Sequence, residues 1–307
     1  MKLISFTING KDRIGAVNED IIIDLQPTIQ EFQKQTNDLA LEKRDFPTDI
    51  LTFLQSEEPL INASVDTVNW VQDSGFDISS TPFLNSLSEV KINPPIPHPS
   101  KIVCVGLNYA DHCREQNWEI PTSPVLFAKF PTTIIGCNTP IHWPPDSSQQ
   151  VDYEAELAVV FSRAARNVRV EQAYDYVGGY MIANDVSARD VQFADKQWVR
   201  GKSFDTFCPT GPYLVTHDEI GDPHQLSIKC WVNGELRQES NTDQLVFRIP
   251  ELIAFISKTC TLLPGDILCT GTPGGVGVFR DPPVFLEPGD VVDIEIDELG
   301  HLSNPIK

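Results

Sequence analysis

Residues 93–99 read Asn-Pro-Pro-Ile-Pro-His-Pro, and four prolines in seven residues constrain this chain more than any other stretch. Proline donates no backbone hydrogen bond and drives the preceding residue into extended conformation. Neither a helix nor a central strand can run through such a segment. It therefore works as a linker between residues 1–92 and residues 100–307. A chain of 307 residues has room for a small domain beside one large core. His98 sits between two of the prolines and carries no functional expectation.

The segment 1–92 reads as a small α/β domain. Residues 2–8 form a candidate strand, Asn9-Gly10 a type I′ turn signal, and residues 13–17 the returning strand. Residues 20–25 suggest a third strand. Helical patterns cover 49–54 and 63–71, the second ending near Gly75. Few residues here suggest chemistry, which leaves packing or dimerisation as the role.

Beyond the linker the pattern is β-rich. Pro and Gly punctuate short apolar runs at 101–106, 125–130 and 180–185. Asn233-Gly234 joins runs 228–232 and 235–238 as a hairpin, and Pro250 opens a helix over 250–260. Residues 170–177 have helical character, which Gly178-Gly179 is expected to end. Ser187 is placed to cap a short helix containing Arg189, Asp190 and Gln192. Two turn-then-strand units, 263–268 and 287–292, echo each other. The expected fold class is α+β and β-rich.

The stretch 151–160, Val-Asp-Tyr-Glu-Ala-Glu-Leu-Ala-Val-Val, alternates with period two and predicts one strand. Val151, Tyr153, Ala155, Leu157 and Val159 share a face. Asp152, Glu154, Glu156, Ala158 and Val160 share the other, which begins acidic and ends apolar. Two readings fit. The strand is a half-exposed edge with acidic residues outward, or the face is partly covered and its carboxylates need a proton, a basic partner or a cation. A hard divalent metal suits the second reading, because it takes carboxylate oxygens and keeps positions for water and substrate.

Other residues carry separate signals. Asn108 or Asp111 can cap a helix on which His112 and Glu115 are i,i+3 neighbours. A carboxylate beside an imidazole fixes its tautomer and makes a general base; the same spacing also describes a surface pair. Lys129, among apolar neighbours, either snorkels or faces an anion. Asp185 ends a strand, where turns and caps commonly use Asp. Gly201 lets the backbone beside Lys202 approach another group closely. Residues 270–277 are Gly-rich but match neither phosphate-binding pattern. Their backbone N–H groups and the Thr272 hydroxyl suit either a small anion or packing turns.

Composition excludes several classes. Asp and Glu outnumber Lys and Arg by 43 to 23, a net charge of −20, which argues against nucleic acid and anionic membrane partners. Seven scattered cysteines without a C-x-x-C pair suit reduced thiols rather than disulfides or zinc. No apolar run approaches a membrane span. The first residues lack signal- and transit-peptide features, so the cytoplasm is the expected compartment.

Five stretches, in order, resemble the fumarylacetoacetate hydrolase family. They are Gly106-Leu-Asn-Tyr-Ala-Asp-His-Cys-Arg-Glu115, Val151-Asp-Tyr-Glu-Ala-Glu-Leu-Ala-Val159, Asn184-Asp-Val-Ser-Ala-Arg-Asp190, Gly201-Lys-Ser-Phe204 and Gly271-Thr-Pro-Gly-Gly-Val-Gly277. The similarity is greatest to the group of that family called domain-containing protein 2, and spans about residue 102 to residue 306. The resemblance implies a mixed β-roll as the catalytic domain, usually in a homodimer. It implies one Mg²⁺ or Mn²⁺ per subunit, held by Glu154, Glu156 and Asp185. His112 and Glu115 would form a dyad on a mobile lid. Lys202, Gln192 and Thr272 would contact the substrate's carboxylate or developing enolate, with Lys129 nearby. The implied activity is hydrolytic cleavage of a C–C bond in acylpyruvate-like 2,4-dioxo acids through a metal-bound enolate. Keto–enol tautomerisation or decarboxylation of oxaloacetate by the same metal site is the alternative. Asp152 has no role in this pattern and reads as an outer neighbour of the ligands.

Overall fold

Asn9 and Gly10 both take positive φ, 51° and 72°, and turn the strand Lys2–Ile8 back into Lys11–Asn18 with Ile8 opposite Lys11. Asn and Gly tolerate this region because the first can bond locally and the second has no Cβ. The computed structural model describes residues 1–36 and 46–307. From this hairpin an open sheet grows in both directions, twelve strands among the described residues.

Its order is Leu84–Ser86, Ile21–Asp24, Lys11–Asn18, Lys2–Ile8, Cys208–Thr216, Val177–Asn184, Ala155–Phe161, Ile267–Cys269, Ile102–Gly106 and Val125–Lys129. Lys91–Asn93 pairs with Lys2–Ile8, and Ile134–Ile135 pairs with Cys208–Thr216. The Lys2–Ile8 strand lies antiparallel to Cys208–Thr216, with Leu3 opposite Leu214, so one sheet runs through both sides of the proline-rich segment. A four-stranded antiparallel sheet, in the order Glu235–Asn241, Ser227–Val232, Val291–Ile296 and Gly300–Pro305, packs against the large one. The α+β, β-rich fold expected from the sequence is what the chain adopts. Among the described residues no helix is long and apolar enough to cross a membrane.

The strand Ala155–Phe161 lies at the centre and is buried along its whole length. Ala155, Leu157 and Val159 join the core with Ile228, Val292, Ile294 and the helix Ile249–Thr259. Ala158 and Val160 join a second core with Leu3, Ile50, Phe53, Val68 and Val71. The helices Ile50–Leu54 and Glu58–Ser74 thus cover the back of the strand.

Three local expectations change. The helical stretch is a 3₁₀ segment, Val170–Tyr176, and Gly178-Gly179 does not end it. Both glycines lie inside the strand Val177–Asn184, where a Cβ on Gly179 would meet the Val215 carbonyl oxygen at 2.3 Å. Ser187 does not cap the next helix; it pairs with Asp152, and Ala188 takes the cap position of Arg189–Ala194. Neither Asn108 nor Asp111 caps the helix Ala110–Glu115, which starts after Tyr109. The Asn108 side chain instead donates to Phe247 O and Thr270 O and accepts from Phe247 N.

Gly179→Ala should therefore cost about 1–3 kcal/mol or more, because the obstructing atom is backbone and cannot rotate away. Urea unfolding against wild type measures the loss; an unchanged midpoint contradicts the packing described.

Candidate metal centre and active site

The predicted strand over 151–160 breaks. It runs as Val151–Asp152, stops, and resumes at Ala155. A break in a buried strand leaves backbone donors without ladder partners. Two side-chain amides replace them. Asn184 Oδ1 accepts from Glu154 N at 3.0 Å, and Gln238 Oε1 accepts from Ala155 N at 3.0 Å. Asp185 N donates to Glu154 O at 2.9 Å. The break thereby sets Asp185 beside the two glutamates. One carboxylate oxygen from each of Glu154, Glu156 and Asp185 lies within 4.8 Å of the others, and all three residues are buried.

Three buried cations surround them. Lys202 Nζ bridges Glu154 Oε2 and Asp185 Oδ2, both at 2.8 Å. Lys129 Nζ binds Asp185 Oδ1 at 2.6 Å and Val186 O at 3.1 Å. Arg189 reaches Glu154 Oε1 at 2.7 Å and Asp152 Oδ2 at 2.9 Å. Glu156 has no Lys or Arg partner among the described residues; its Oε2 accepts from Gly271 N at 2.8 Å. Four carboxylates (Asp152, Glu154, Glu156, Asp185) thus face three cations, and the surplus charge rests on Glu156.

The protonation of the two glutamates diverges accordingly. Burial pushes Glu154 up, but Lys202 and Arg189 outweigh it and hold the carboxyl at about 2. Burial, then the charges of Asp185 and Glu154, push Glu156 well above the ordinary range. Lys202 is penalised by burial, yet Asp185 and Glu154 more than restore its charge and raise its pKa. A cluster of hard oxygens short of one positive charge fits a divalent cation.

A cavity of about 290 Å³ opens on this cluster. Glu154, Glu156, Arg189, Gln192, Lys202 and Thr272 form its polar wall. His112 faces it from the helix Ala110–Glu115, with Trp118, Phe279, Phe193 and Trp198 completing the apolar side. Trp118 and Phe279 meet edge-on at 5.4 Å, and Phe279 lies 5.9 Å from the His112 ring. His112 Nδ1 is 3.3 Å from Glu115 Oε2. Burial raises the Glu115 carboxyl, but hydrogen bonds from His112 and Gly275 N–H outweigh it and lower its pKa.

The structure gathers the residues expected from the sequence around one cavity, with distinct positions. Glu154, Glu156, His112, Lys202, Gln192 and Thr272 line it. Asp185 and Glu115 stand one layer behind, bonded to Lys202 and His112. Lys129 does not line it; the anion it faces is Asp185. Gly201 makes its close approach to its own chain, since a Cβ there would meet Gln192 N at 2.7 Å.

Two residues exceed what their sequence context suggested. Asp152 stands outside the triad, as expected, but it is more than a bystander. It is fully buried, holds Arg189, and accepts from Gly277 N at 2.8 Å and Val278 N at 3.0 Å. Arg189, expected only as part of a short helix, lines the cavity, and its Nη2 is buried with no partner among the described residues. The Gly-rich loop binds anions, but they are the protein's own: Gly271, Gly275 and Gly277 donate to Glu156, Glu115 and Asp152.

Fold and site define an α+β protein with a buried, cation-deficient carboxylate centre. Residues 101–307 match the fumarylacetoacetate (FAA) hydrolase C-terminal family, and the chain belongs to that family. It is 54% identical over 231 residues to an oxaloacetate tautomerase, fahd2, of Xenopus laevis, covering 75% of this chain and 72% of that one. Over 289 residues it is 42% identical to the oxaloacetate tautomerase YisK of Bacillus subtilis, covering 93% and 95%. Among solved structures, a fumarylacetoacetate hydrolase from Exiguobacterium antarcticum superposes with a TM-score of 0.81 at 35% identity, covering 100% and 99%.

The charge imbalance has a measurable consequence. With its pKa raised above the unfolded 4.5, Glu156 withdraws stability as pH rises through its folded value. Glu156→Gln should remove that loss. In EDTA the variant should be at least as stable as wild type at neutral pH and vary less between about pH 5 and about pH 8. Its Mn²⁺ affinity should fall by more than the ~10-fold typical of losing an outer partner of a ligand. Thermal unfolding and titration calorimetry test both halves.

Proposed function

We propose that the protein is a divalent-metal-dependent enzyme of small 2-oxo acids whose reaction is keto–enol tautomerisation of oxaloacetate. The supporting observation is that one cavity joins the cation-deficient triad to a histidine already engaged by a carboxylate. The names of the relatives favour this reaction over hydrolysis. The size of the cavity suits a four-carbon acid.

Glu154, Glu156 and Asp185 would hold Mg²⁺ or Mn²⁺, which supplies Lewis-acid stabilisation of negative charge on the 2-oxo acid. The remaining chemistry belongs to the chain. Glu115, kept ionised, accepts a hydrogen bond from the Nδ1–H of His112 and leaves the Nε2 lone pair as base. His112 Nε2 removes a proton from C3 of the keto acid. The imidazolium, stabilised by Glu115, returns it to the 2-oxygen; the reverse sequence forms the ketone. Lys202 holds a positive charge beside the polar wall where oxygen charge develops. Gln192 and Thr272 offer hydrogen bonds to the substrate's carboxylate. Trp118 and Phe279 shield the proton transfer from bulk water.

Hydrolysis of an acylpyruvate is the second reading, favoured by the same dyad, since His112 can take a proton from water as readily as from carbon. Decarboxylation would need only the enolate-stabilising part of the site.

Enol-oxaloacetate, keto-oxaloacetate and acylpyruvates assayed with Mg²⁺, with Mn²⁺ and in EDTA separate these outcomes. We expect enol absorbance to fall without new products, and EDTA to stop it. Faster release of pyruvate and a carboxylic acid from an acylpyruvate would establish the hydrolase instead. His112→Ala should lower kcat by about 10²–10⁴ and leave Mn²⁺ affinity unchanged; loss of metal binding would refute its role as base.

A further inference from the structure

Gln238 lies in the hairpin strand Glu235–Asn241, opposite Cys230, and is 1% exposed. Nothing in its sequence context marks it. Its surroundings nevertheless fix which end of its amide is which. Ala155 N can only donate, so Oε1 faces it at 3.0 Å. Pro273 O can only accept, so Nε2 faces it at 2.9 Å. A flipped amide would set donor against donor and acceptor against acceptor, inside a buried region where each unmet group costs free energy.

The second Nε2 hydrogen goes to Thr272 Oγ1 at 2.8 Å. An amide nitrogen donates and does not accept, so the Thr272 hydroxyl is the acceptor in this contact. A hydroxyl has one hydrogen of its own. Among the described residues no acceptor takes it, and Thr272 lines the cavity beside Glu154, Lys202 and His112. The orientation of a buried amide thereby determines the polarity of a hydroxyl in the cavity wall.

We propose that Gln238 is a positioning residue that makes Thr272 a hydrogen-bond donor toward an anionic oxygen of the substrate. This rests on the 2-oxo acid reading of the site. The same amide takes the N–H between Glu154 and Glu156, so the donor's position is tied to the strand break that places those glutamates.

A double-mutant cycle on Mn²⁺-loaded protein tests it, with oxalate as the probe. Oxalate is a planar anion with only acceptor oxygens, and its binding is read by calorimetry without turnover. Thr272→Val should weaken oxalate about tenfold to about a hundredfold, the size of one hydrogen bond to a charged group. Thr272→Ser should keep wild-type affinity. Gln238→Met should weaken oxalate by at least about threefold, yet in the Thr272→Val background it should cost nothing more. Mn²⁺ affinity should be unchanged in the Thr272 variants, and oxalate binding to Gln238→Met is read at saturating Mn²⁺. Additive losses, no loss in Gln238→Met, or a loss in a Thr272 variant matched by weaker Mn²⁺ binding would overturn the assignment. If Gln238→Met does not fold, Gln238→Glu replaces it, because the Thr272→Val background subtracts the effect of its charge. Wild-type protein that fails to bind oxalate would overturn the 2-oxo acid reading and this inference with it. Additivity in a wild type that binds would overturn the inference alone.

Discussion

A buried surplus of negative charge organises this molecule. Asp152, Glu154, Glu156 and Asp185 are opposed by Lys129, Arg189 and Lys202, with the side chains of all seven nearly out of contact with water. Ionised groups in such an interior are tolerable only when paired, since desolvation otherwise drives them neutral. Six of the seven are paired directly. Glu156 is not, and only a proton or an added cation can settle it. The imbalance is a cost to the fold at neutral pH, and it makes the cluster one that could hold a divalent cation. A neutral residue at 156 would make a calmer core and a poorer centre.

The surrounding backbone is shaped to meet the same carboxylates. A continuous strand over 151–160 would spend Glu154 N and Ala155 N on a ladder. The break hands them to Asn184 and Gln238, side chains from two other strands, and each amide becomes a brace between elements. The 271–278 loop does the complementary work with backbone N–H groups on Glu156, Glu115 and Asp152. Gly275 has φ of 98° and Gly271 of 107°, values that favour glycine. One loop therefore touches the triad, the histidine's carboxylate partner and the carboxylate that holds Arg189. A shift in it would be felt at all three.

What the sequence made legible follows from how local each cause is. Asn9-Gly10 and Asn233-Gly234 turn hairpins because the necessary φ values belong to those residues themselves. The period-two face from Glu156 through Ala158 to Val160 is readable because alternation is a property of any strand, whereas the break that sets Glu154 apart depends on Asn184 and Gln238 and is not. Gly178-Gly179 looks like a helix end in the sequence because its cause is remote: at Gly179 the Val215 carbonyl of a neighbouring strand leaves no room for a Cβ. The part Asp152 plays in holding Arg189 has no sequence signal because its partners, Arg189, Gly277 and Val278, come together only in the fold. Gln238 carried no signal for the same reason. For Lys129 the sequence left two options, and the structure chose the anion, Asp185. The family resemblance implies the triad and the dyad, which spacing alone leaves open, and it says nothing of these supports.

The face that begins acidic and ends apolar now has a physical account. Glu156 stands at its acidic end, toward the cavity. Ala158 and Val160 continue the same face into the core closed by Leu3, Ile50 and Phe53. The helices Ile50–Leu54 and Glu58–Ser74 contribute no wall to the cavity, yet they cover the back of the strand that carries Glu156. A less polarisable surrounding strengthens every charge interaction in the cluster, favourable and unfavourable alike. These two helices and Leu3 therefore bear on the site through the medium around it, and the alternation along the strand Ala155–Phe161 is where charge and cover meet.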